Sequence, residues 1–388
     1  IVLDEIQSYK NTIWTEIITF LKTFSKILNM RVIIMSATLP DLNYLISSNE
    51  NTVNLITNRE KYFKHPLFKN RVKINYELIN KNLDDIYKHL KENSFKRKKI
   101  LVEFIRKKSA YDFYRRLKED EEIKSRVELI TGDDNSIERE RIIDIVSETN
   151  DVILVSTQVI EAGVDIDMDI GYKDISKLDS DEQFMGRINR SCKKEGIVYF
   201  FNIDSSKSIY KNDYRTDNKF TLINDEMKEI LINKDFDKYY HPILNELIKK
   251  DIKLNDDNIN MFFCEGVGLL DFYKVENRMK LIEEDVLTNS IFLSREITLK
   301  DGSKINGDEV WNNYKKLLED RDIDYSEKEV KLSEIRAKLN YFIYQVRNFD
   351  ASYNDRIGEL YKIDNGEEYF KDGKIDKEKL ITGIGDFI

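Results

Sequence analysis

Short apolar runs, each closed by polar residues, mark the first half of the chain. Val2-Leu3, Val32 to Met35, Ile100 to Ile105, Val127 to Ile130, Asp151 to Val155 and Ile197 to Phe201 read as strands. The run to Val155 is apolar at consecutive positions and rich in β-branched residues, which predicts a strand buried on both faces, as in a parallel sheet. Val72 to Leu78 alternates, and Val53 to Ile56 is taken as a further strand. Helical spacing lies between the runs. It places Trp14, Ile17, Ile18, Leu21 and Phe24 on one inward face, and Ala110, Phe113, Tyr114 and Leu117 on another, with further helices at Leu83 to Lys91 and around Glu138 to Arg141. Strands alternating with helices predict doubly wound α/β domains.

The pattern changes after Asp204. Ser205 to Asn218 is polar and reads as a loop, followed by helices at Phe220 to Ile232 and His241 to Lys249, an arm packing across the preceding domains. Asp251 to Asn258 is a charged linker, and Arg278 to Asp285 mixes charges. Ser290 to Leu299 alternates like a strand and meets the turn Asp301-Gly302-Ser303, predicting a hairpin. Val310 to Asp320 and Ser326 to Val346 read as helices, the second capped by Ser326 with Glu329 three residues on. Trp311, Tyr314, Tyr341, Phe342 and Tyr344 invite base stacking, but aromatics at helical spacing more often fill a core. The tail after Gly366 reads as a mobile or peripheral hairpin. The boundaries are a partial α/β domain over 1–57, a polar linker over 58–71, a second α/β domain over 72–204, a helical linker over 205–258 and an accessory domain over 259–388.

Composition narrows the chemistry. The 388 residues are 41% hydrophobic, enough for ordinary cores, and no apolar run is long enough to span a membrane. The net charge of −9 argues against nonspecific coating of nucleic acid but leaves room for a local basic groove. Cys192 and Cys264 form no cluster, and His65, His89 and His241 stand in no ligand spacing. The basic run at 96–99 reads as a solvated face, while Arg106, Lys107 and Lys108 follow a strand and leave backbone contact and solvation equally open.

The chemistry concentrates between Asp151 and Arg190. The buried strand runs into Ser156-Thr157-Gln158-Val159-Ile160-Glu161-Ala162-Gly163-Val164-Asp165-Ile166-Asp167, and Gln183-Phe184-Met185-Gly186-Arg187-Ile188-Asn189-Arg190 follows. A strand ending in polar residues is what a parallel sheet presents to a ligand at its carboxyl edge. Gly163 lets backbone approach closely, and Thr157 and Gln158 offer groups to a phosphate backbone. Arg187 and Arg190, three apart, share one face if helical and point at one polyphosphate. The plainer alternative is a strand, a loop and a helix with solvated arginines.

These strings resemble motifs V and VI of superfamily 2 helicases. Ile1-Val2-Leu3-Asp4-Glu5-Ile6-Gln7 resembles motif II, the Walker B strand, and Ser36-Ala37-Thr38 resembles motif III. The Asp-Glu-Ile-Gln form, the string Met35 to Pro40 and the C-terminal extension are most similar to the CRISPR-associated helicase-nuclease of type I systems. The resemblance implies tandem RecA-like parallel sheets, the first partial, followed by a mostly helical C-terminal domain. It implies ATP and Mg2+ between the sheets and 3′-to-5′ movement on single-stranded DNA. It also implies a CRISPR surveillance complex as partner and a cytoplasmic location with no membrane.

Roles follow by the same resemblance. Asp4 holds magnesium through water, Glu5 accepts a proton from the attacking water, and Gln7 senses the γ-phosphate. Ser36 and Thr38 link that event to the nucleic-acid path, for which Arg106, Thr157 and Gln158 are the candidates read above from their positions at strand ends. Gly163, Asp165 and Gln183 line the nucleotide, Arg187 holds its phosphates and Arg190 is the arginine finger. No Gly-x-x-x-x-Gly-Lys-Ser/Thr string occurs in the 388 residues, so the phosphate cradle is expected in an N-terminal part of the same protein, and little ATP hydrolysis is expected without it. The alternatives are a non-catalytic docking module, or another superfamily 2 motor on DNA or RNA.

Overall fold

The computed structural model describes residues 1–46, 52–161, 163–210, 212–252, 258–280, 288–371 and 373–381. The chain forms two compact units, one of residues 1–129 and 149–283, the other of 130–148 and 284–388.

The first unit opens with β1 (Val2–Asp4), which pairs in parallel with β2 (Ile33–Met35) across the crossover helix α1 (Trp14–Ile27). Trp14, Ile17 and Ile18 are buried, but Phe24 is not. Only the first turns of α1 pack on a core, and Phe24 lies on the surface stacked on Phe20 at 5.9 Å. Val53 to Ile56 forms no strand, and Val53 and Leu55 are exposed. The polar linker contains short helices, α2 (Arg59–Phe63) and α3 (Pro66–Lys69), with Pro66 in the first turn where its missing N–H costs nothing.

A six-stranded sheet then forms from β3 (Val72–Asn75), β4 (Lys99–Glu103), β5 (Arg126–Ile130), β6 (Val152–Ser156), β7 (Ile170–Asp174) and β8 (Gly196–Phe201), in the order β3-β8-β7-β4-β6-β5. The pairs β3/β8, β8/β7, β7/β4 and β4/β6 are parallel. The sequence reading missed β7. Its Lys173 and Asp174 look like solvent positions, yet every residue of the strand is buried. Helices α4 (Leu83–Ser94) and α5 (Lys107–Glu119) put Ile86, Tyr87, Leu90, Ala110, Phe113 and Leu117 into the core. Asn82 caps α4 by accepting from the Asp85 N–H at 2.9 Å.

The second unit holds α6 (Ser136–Glu148). In the first unit, α7 (Leu178–Met185), α8 (Asp225–Asn233), α9 (Phe236–Ile252), α10 (Ile259–Met261) and α11 (Phe272–Arg278) follow. The predicted polar loop over 205–218 contains 3-10 turns, and the charged linker falls partly on residues outside the described ones, as does the mixed-charge stretch before Asp285.

The second unit is built on β9 (Thr288–Leu293), with the predicted hairpin β10 (Glu296–Thr298) and β11 (Lys304–Asn306) beside it in sequence. Helix α12 (Gly307–Glu319) and helix α13 (Tyr325–Leu339) follow. The second helix is shorter than predicted. It is capped by Asp324, which accepts from the Ser326 N–H at 2.9 Å, and it stops at Leu339. Residues Ile343–Arg347 form strand β12, whose alternating burial seats Tyr344 and Val346 in the core, so sheet pairing overrides the helical pattern. Strands β13 (Asp355–Ile357) and β14 (Leu360–Ile363) complete the sheet β12-β9-β14-β13. Trp311 and Phe342 are also buried, as a core reading of the aromatics requires. The tail makes a small hairpin of β15 (Phe370–Lys371) and β16 (Lys374–Ile375), and its last seven positions lie outside the described residues.

Candidate functional site

The site is built at the end of β1. Asp4 closes the strand with an exposed carboxylate, and its Oδ1 accepts the Glu5 N–H at 2.9 Å. Glu5 then turns into the left-handed region at φ 52°, ψ 48°, while its N–H is also held by the Met35 carbonyl at 3.0 Å. A non-glycine residue there costs about 1 kcal/mol or more and persists only where its surroundings hold it. The Gln7 side chain is buried and donates from Nε2 to the Glu5 carboxylate. Gln183, on α7, donates to the same Glu5 oxygen at 3.1 Å.

Arg187 and Arg190 lie beyond the end of α7, which stops at Met185, so they do not share a helical face. The chain instead folds through a bridge between Met168 and Ile188 and a left-handed Asn189, with φ 46°. Arg187 is half-buried and spends its donors on backbone: Nε to the Ile160 carbonyl at 2.9 Å and Nη2 to the Glu161 carbonyl. Burial and Arg190 push its pKa down, against Asp165, Glu161 and Glu5. Arg190 is half-exposed and pairs with Asp165 at 3.0 Å, and its N–H is taken by Asp167 at 2.7 Å. Gly163 has φ +71°, and open space surrounds the position of a side chain there. Glu5, Gln7 and Gln183 thus share hydrogen bonds, and Arg187, Arg190 and Asp165 share charge.

The remaining predicted residues make contacts of their own. Ser36 Oγ accepts the Thr38 N–H at 3.0 Å, and the buried Thr38 hydroxyl lies 3.3 Å from the Tyr240 hydroxyl of α9. Arg106 is tied to the stretch after β8, its N–H to Asp204 at 3.0 Å and its Nε to Ser208 at 3.3 Å. Thr157 is buried, and Gln158 donates to the Ile105 carbonyl at 3.0 Å, spanning two strand ends.

Sequence reasoning missed the buried groups behind this surface. Lys173 of β7 is fully enclosed, paired with Glu103 and, at 3.2 Å, with Glu161, whose carboxylate also accepts from Ser180. Burial opposes the lysine's charge, but Glu103, Glu161 and Asp181 outweigh it, so Lys173 is held protonated. Arg215 is likewise buried, between Asp179 at 3.0 Å and Asp213 at 2.6 Å. A lysine inside a short apolar strand was the available signal for the first cluster. The second had none, since Arg215 sits in a polar stretch. Among the described residues no group of His, Cys, Asp or Glu has a metal-holding arrangement, and no helix is long and apolar enough to cross a membrane. Cys192 and Cys264 are free thiols.

Comparison with known proteins gives the fold its relatives. Residues 82–193 match the family model for the C-terminal part of the CRISPR-associated nuclease/helicase Cas3. The Cas3 of Methanothermobacter thermautotrophicus is 27% identical over 209 residues, which are 49% of this chain and 24% of that protein. The crystal structure of T. fusca Cas3 with ATP matches at a TM-score of 0.54 and 13% identity, over 94% of this chain and 50% of that one. T. fusca Cas3 with ADP matches at 0.54 and 12%, over the same shares. The chain therefore spans about half of the T. fusca protein and about a quarter of the archaeal one. Together these findings support a Cas3 helicase C-terminal part with an α/β, RecA-like fold.

Proposed function

We propose that this chain is the ATP-driven portion of a type I CRISPR helicase-nuclease, moving 3′-to-5′ on single-stranded DNA. The observation that carries the reading is the convergence of Gln7 and Gln183 on the Glu5 carboxylate, because it brings the turn just after β1 of the first sheet and helix α7, between β7 and β8 of the second, to a single group. In this reading residues 1–57 and 72–204 are the two RecA-like parts, 58–71 and 205–258 are linkers, and 259–388 is an accessory domain. The parts close on a bound nucleotide and separate after hydrolysis, shifting their grip on the DNA backbone in a sequence-independent, salt-sensitive way.

Each residue then has a task. Glu5 takes the proton of the attacking water, and Gln7 and Gln183 hold its carboxylate in place. Asp4, exposed at a strand end with oxygen donors only, suits a magnesium ion that keeps most of its waters. That ion supplies charge neutralisation at the phosphates. Arg190, paired with the exposed Asp165, exchanges that partner for a phosphate, the arginine-finger role. Arg187 holds the loop of residues 160–161, with Gly163 and Asp165 beside the nucleotide. Thr38 relays the state of the site to α9, while Thr157, Gln158 and Arg106 serve the nucleic-acid path. T. fusca Cas3, crystallised with ATP and with ADP, is the relative that supports nucleotide binding here. The CRISPR surveillance complex is the proposed partner and the cytoplasm the proposed compartment.

The test is ATP hydrolysis with and without single-stranded DNA, for this chain and for a longer form carrying a phosphate loop, each against Glu5→Gln. DNA-stimulated activity in the longer form, lost in the variant, supports the reading. Equal stimulation by RNA points to another superfamily 2 motor. A second reading, a docking module without catalysis, is favoured by the missing phosphate-loop string. Silence in both forms, with retention by the surveillance complex, would put it first.

A further inference from the structure

Arg215 stands in none of the strings that carry the family resemblance, yet it is the most heavily bonded buried cation beside the site. Its side chain is 1% exposed. Nη1 donates to the Gln7 carbonyl at 2.7 Å and to Asp179 Oδ2 at 3.0 Å. Nε donates to Asp213 Oδ1 at 2.9 Å and Nη2 to Asp213 Oδ2 at 2.6 Å, a two-point grip on one carboxylate. Asp213 is fixed in turn by the Asn11 amide at 2.9 Å, and Asp179 by the Tyr239 hydroxyl at 3.3 Å. The guanidinium also lies over the Trp14 ring, 5.2 Å from its centroid.

The two ends of this grip matter most. Gln7 belongs to the segment that holds Glu5, and Asp179 lies on α7 four residues before Gln183. Residues four apart on a helix share a face. One face of α7 therefore meets the 5–7 segment twice, a turn apart: through Gln183 at the Glu5 carboxylate and through Asp179 and Arg215 at the Gln7 carbonyl. The first of these contacts is at Glu5 itself, whose left-handed backbone its surroundings must enforce. Gln7 ties to Glu5 through Nε2 alone, for among the described residues its buried Oε1 has no hydrogen-bond partner.

We propose that Arg215 is a positioning residue, clamping the 5–7 segment to α7 so that the Glu5 carboxylate meets Gln183 in one fixed register. As a positioning role for ATP hydrolysis it rests on the function proposed above, while the clamp itself rests on the geometry alone. Lysine at 215 keeps the charge between two aspartates, but its single nitrogen cannot serve both carboxylates and the Gln7 carbonyl in a planar fork.

The experiment uses Arg215→Lys, with Asp179→Asn as the companion should the first fold poorly. In the longer form carrying the phosphate loop, kcat for ATP hydrolysis should fall about 10- to 100-fold with KM for ATP within about twofold. Gln183→Ala should cost much less in the Arg215→Lys background than alone, since both act on one contact. In this chain, amide exchange over residues 5–9 should accelerate at least about tenfold while that of β6 is unchanged. Exchange over 5–9 matching the parent overturns the clamp, whatever the activity. Unchanged kcat, or full additivity with Gln183→Ala in an active enzyme, overturns the positioning role. An inactive longer parent instead counts against the proposed function, with the exchange result still deciding the clamp.

Discussion

Gln183 Nε2 donates to Glu5 Oε2 at 3.1 Å, joining residues separated by 178 positions in the chain. The same oxygen receives the Gln7 amide, so one carboxylate is held by two neutral amide donors. Amide donors fix the carboxylate's direction while leaving it a base, as a proton acceptor for an attacking water requires.

Glu5→Gln tests this directly. The amide keeps the shape and still accepts the Gln183 and Gln7 donors, but it cannot take a proton. ATP hydrolysis in the longer form should fall by about 100-fold or more while nucleotide affinity is kept. Steady-state hydrolysis alongside equilibrium binding of a labelled nucleotide measures both. A variant with parental kcat would remove Glu5 from the chemistry.

The Lys173 cluster predicts a stability effect. Replacing Lys173 by Met leaves Glu103, Glu161 and Asp181 enclosed without their cation, and breaking a buried pair from one side costs about 3–5 kcal/mol. Urea unfolding of the chain reads the loss. Adding Glu103→Gln should recover part of it, because one stranded charge is then removed. A loss below about 1 kcal/mol would mean that water reaches the cluster.

How far the sequence could be read follows from where each signal lies. The run Val152–Ser156 is apolar because both its faces are buried, so strand and depth were legible together. The strings at Asp4 and Gln183 were legible by resemblance, but the contact between them was not, since nothing local encodes a bond across the fold. β7 was hidden because its lysine is paired with Glu103 of another strand and its aspartate accepts the Ile203 and Asp204 N–H groups beyond β8, not anything nearby in sequence. The helical reading of Arg187 and Arg190 failed because spacing cannot show that α7 stops at Met185. Tyr344 was assigned to a helix because a strand of period two directly follows a helix, and the aromatics fit either spacing.

Asp181 predicts a pH dependence. Burial pushes its carboxyl up to about 7, with Lys173 pulling the other way, and among the described residues its enclosed Oδ2 has no hydrogen-bond partner. Its folded pKa lies above the unfolded value, so the folded state binds the proton more tightly. This contribution is fully present below about pH 4 and is lost as pH rises to about 7, at up to about 1.4 kcal/mol per pH unit. Unfolding by urea at a series of pH values should show this fall, and Asp181→Asn should flatten that part of the curve. Parallel slopes for parent and variant would show that Asp181 is already ionised at low pH.

The second unit offers a test independent of nucleotide. Asn135 accepts the Glu138 N–H at 3.0 Å, and Glu138 accepts the Asn135 N–H at 3.3 Å, a reciprocal cap at the start of α6. The Asn135 amide also donates to the Tyr341 carbonyl and, at 2.8 Å, to the Tyr344 hydroxyl, while Arg295 approaches Glu138 at 3.1 Å. One side chain thus ends a helix and fastens it to the strand that follows α13. Asn135→Ala removes the cap and the donor to the Tyr341 carbonyl, while the Tyr344 hydroxyl keeps Arg295 and Glu138, so the loss should exceed the roughly 1 kcal/mol of an isolated cap and stay at about 2 kcal/mol. Asn135→Asp keeps the cap but gives up the amide donors and adds charge beside Glu138, whose carboxyl burial already pushes up. It should therefore rescue little. Denaturant unfolding followed by Trp311 fluorescence reads this unit, and full rescue by aspartate would show that the cap alone holds α6.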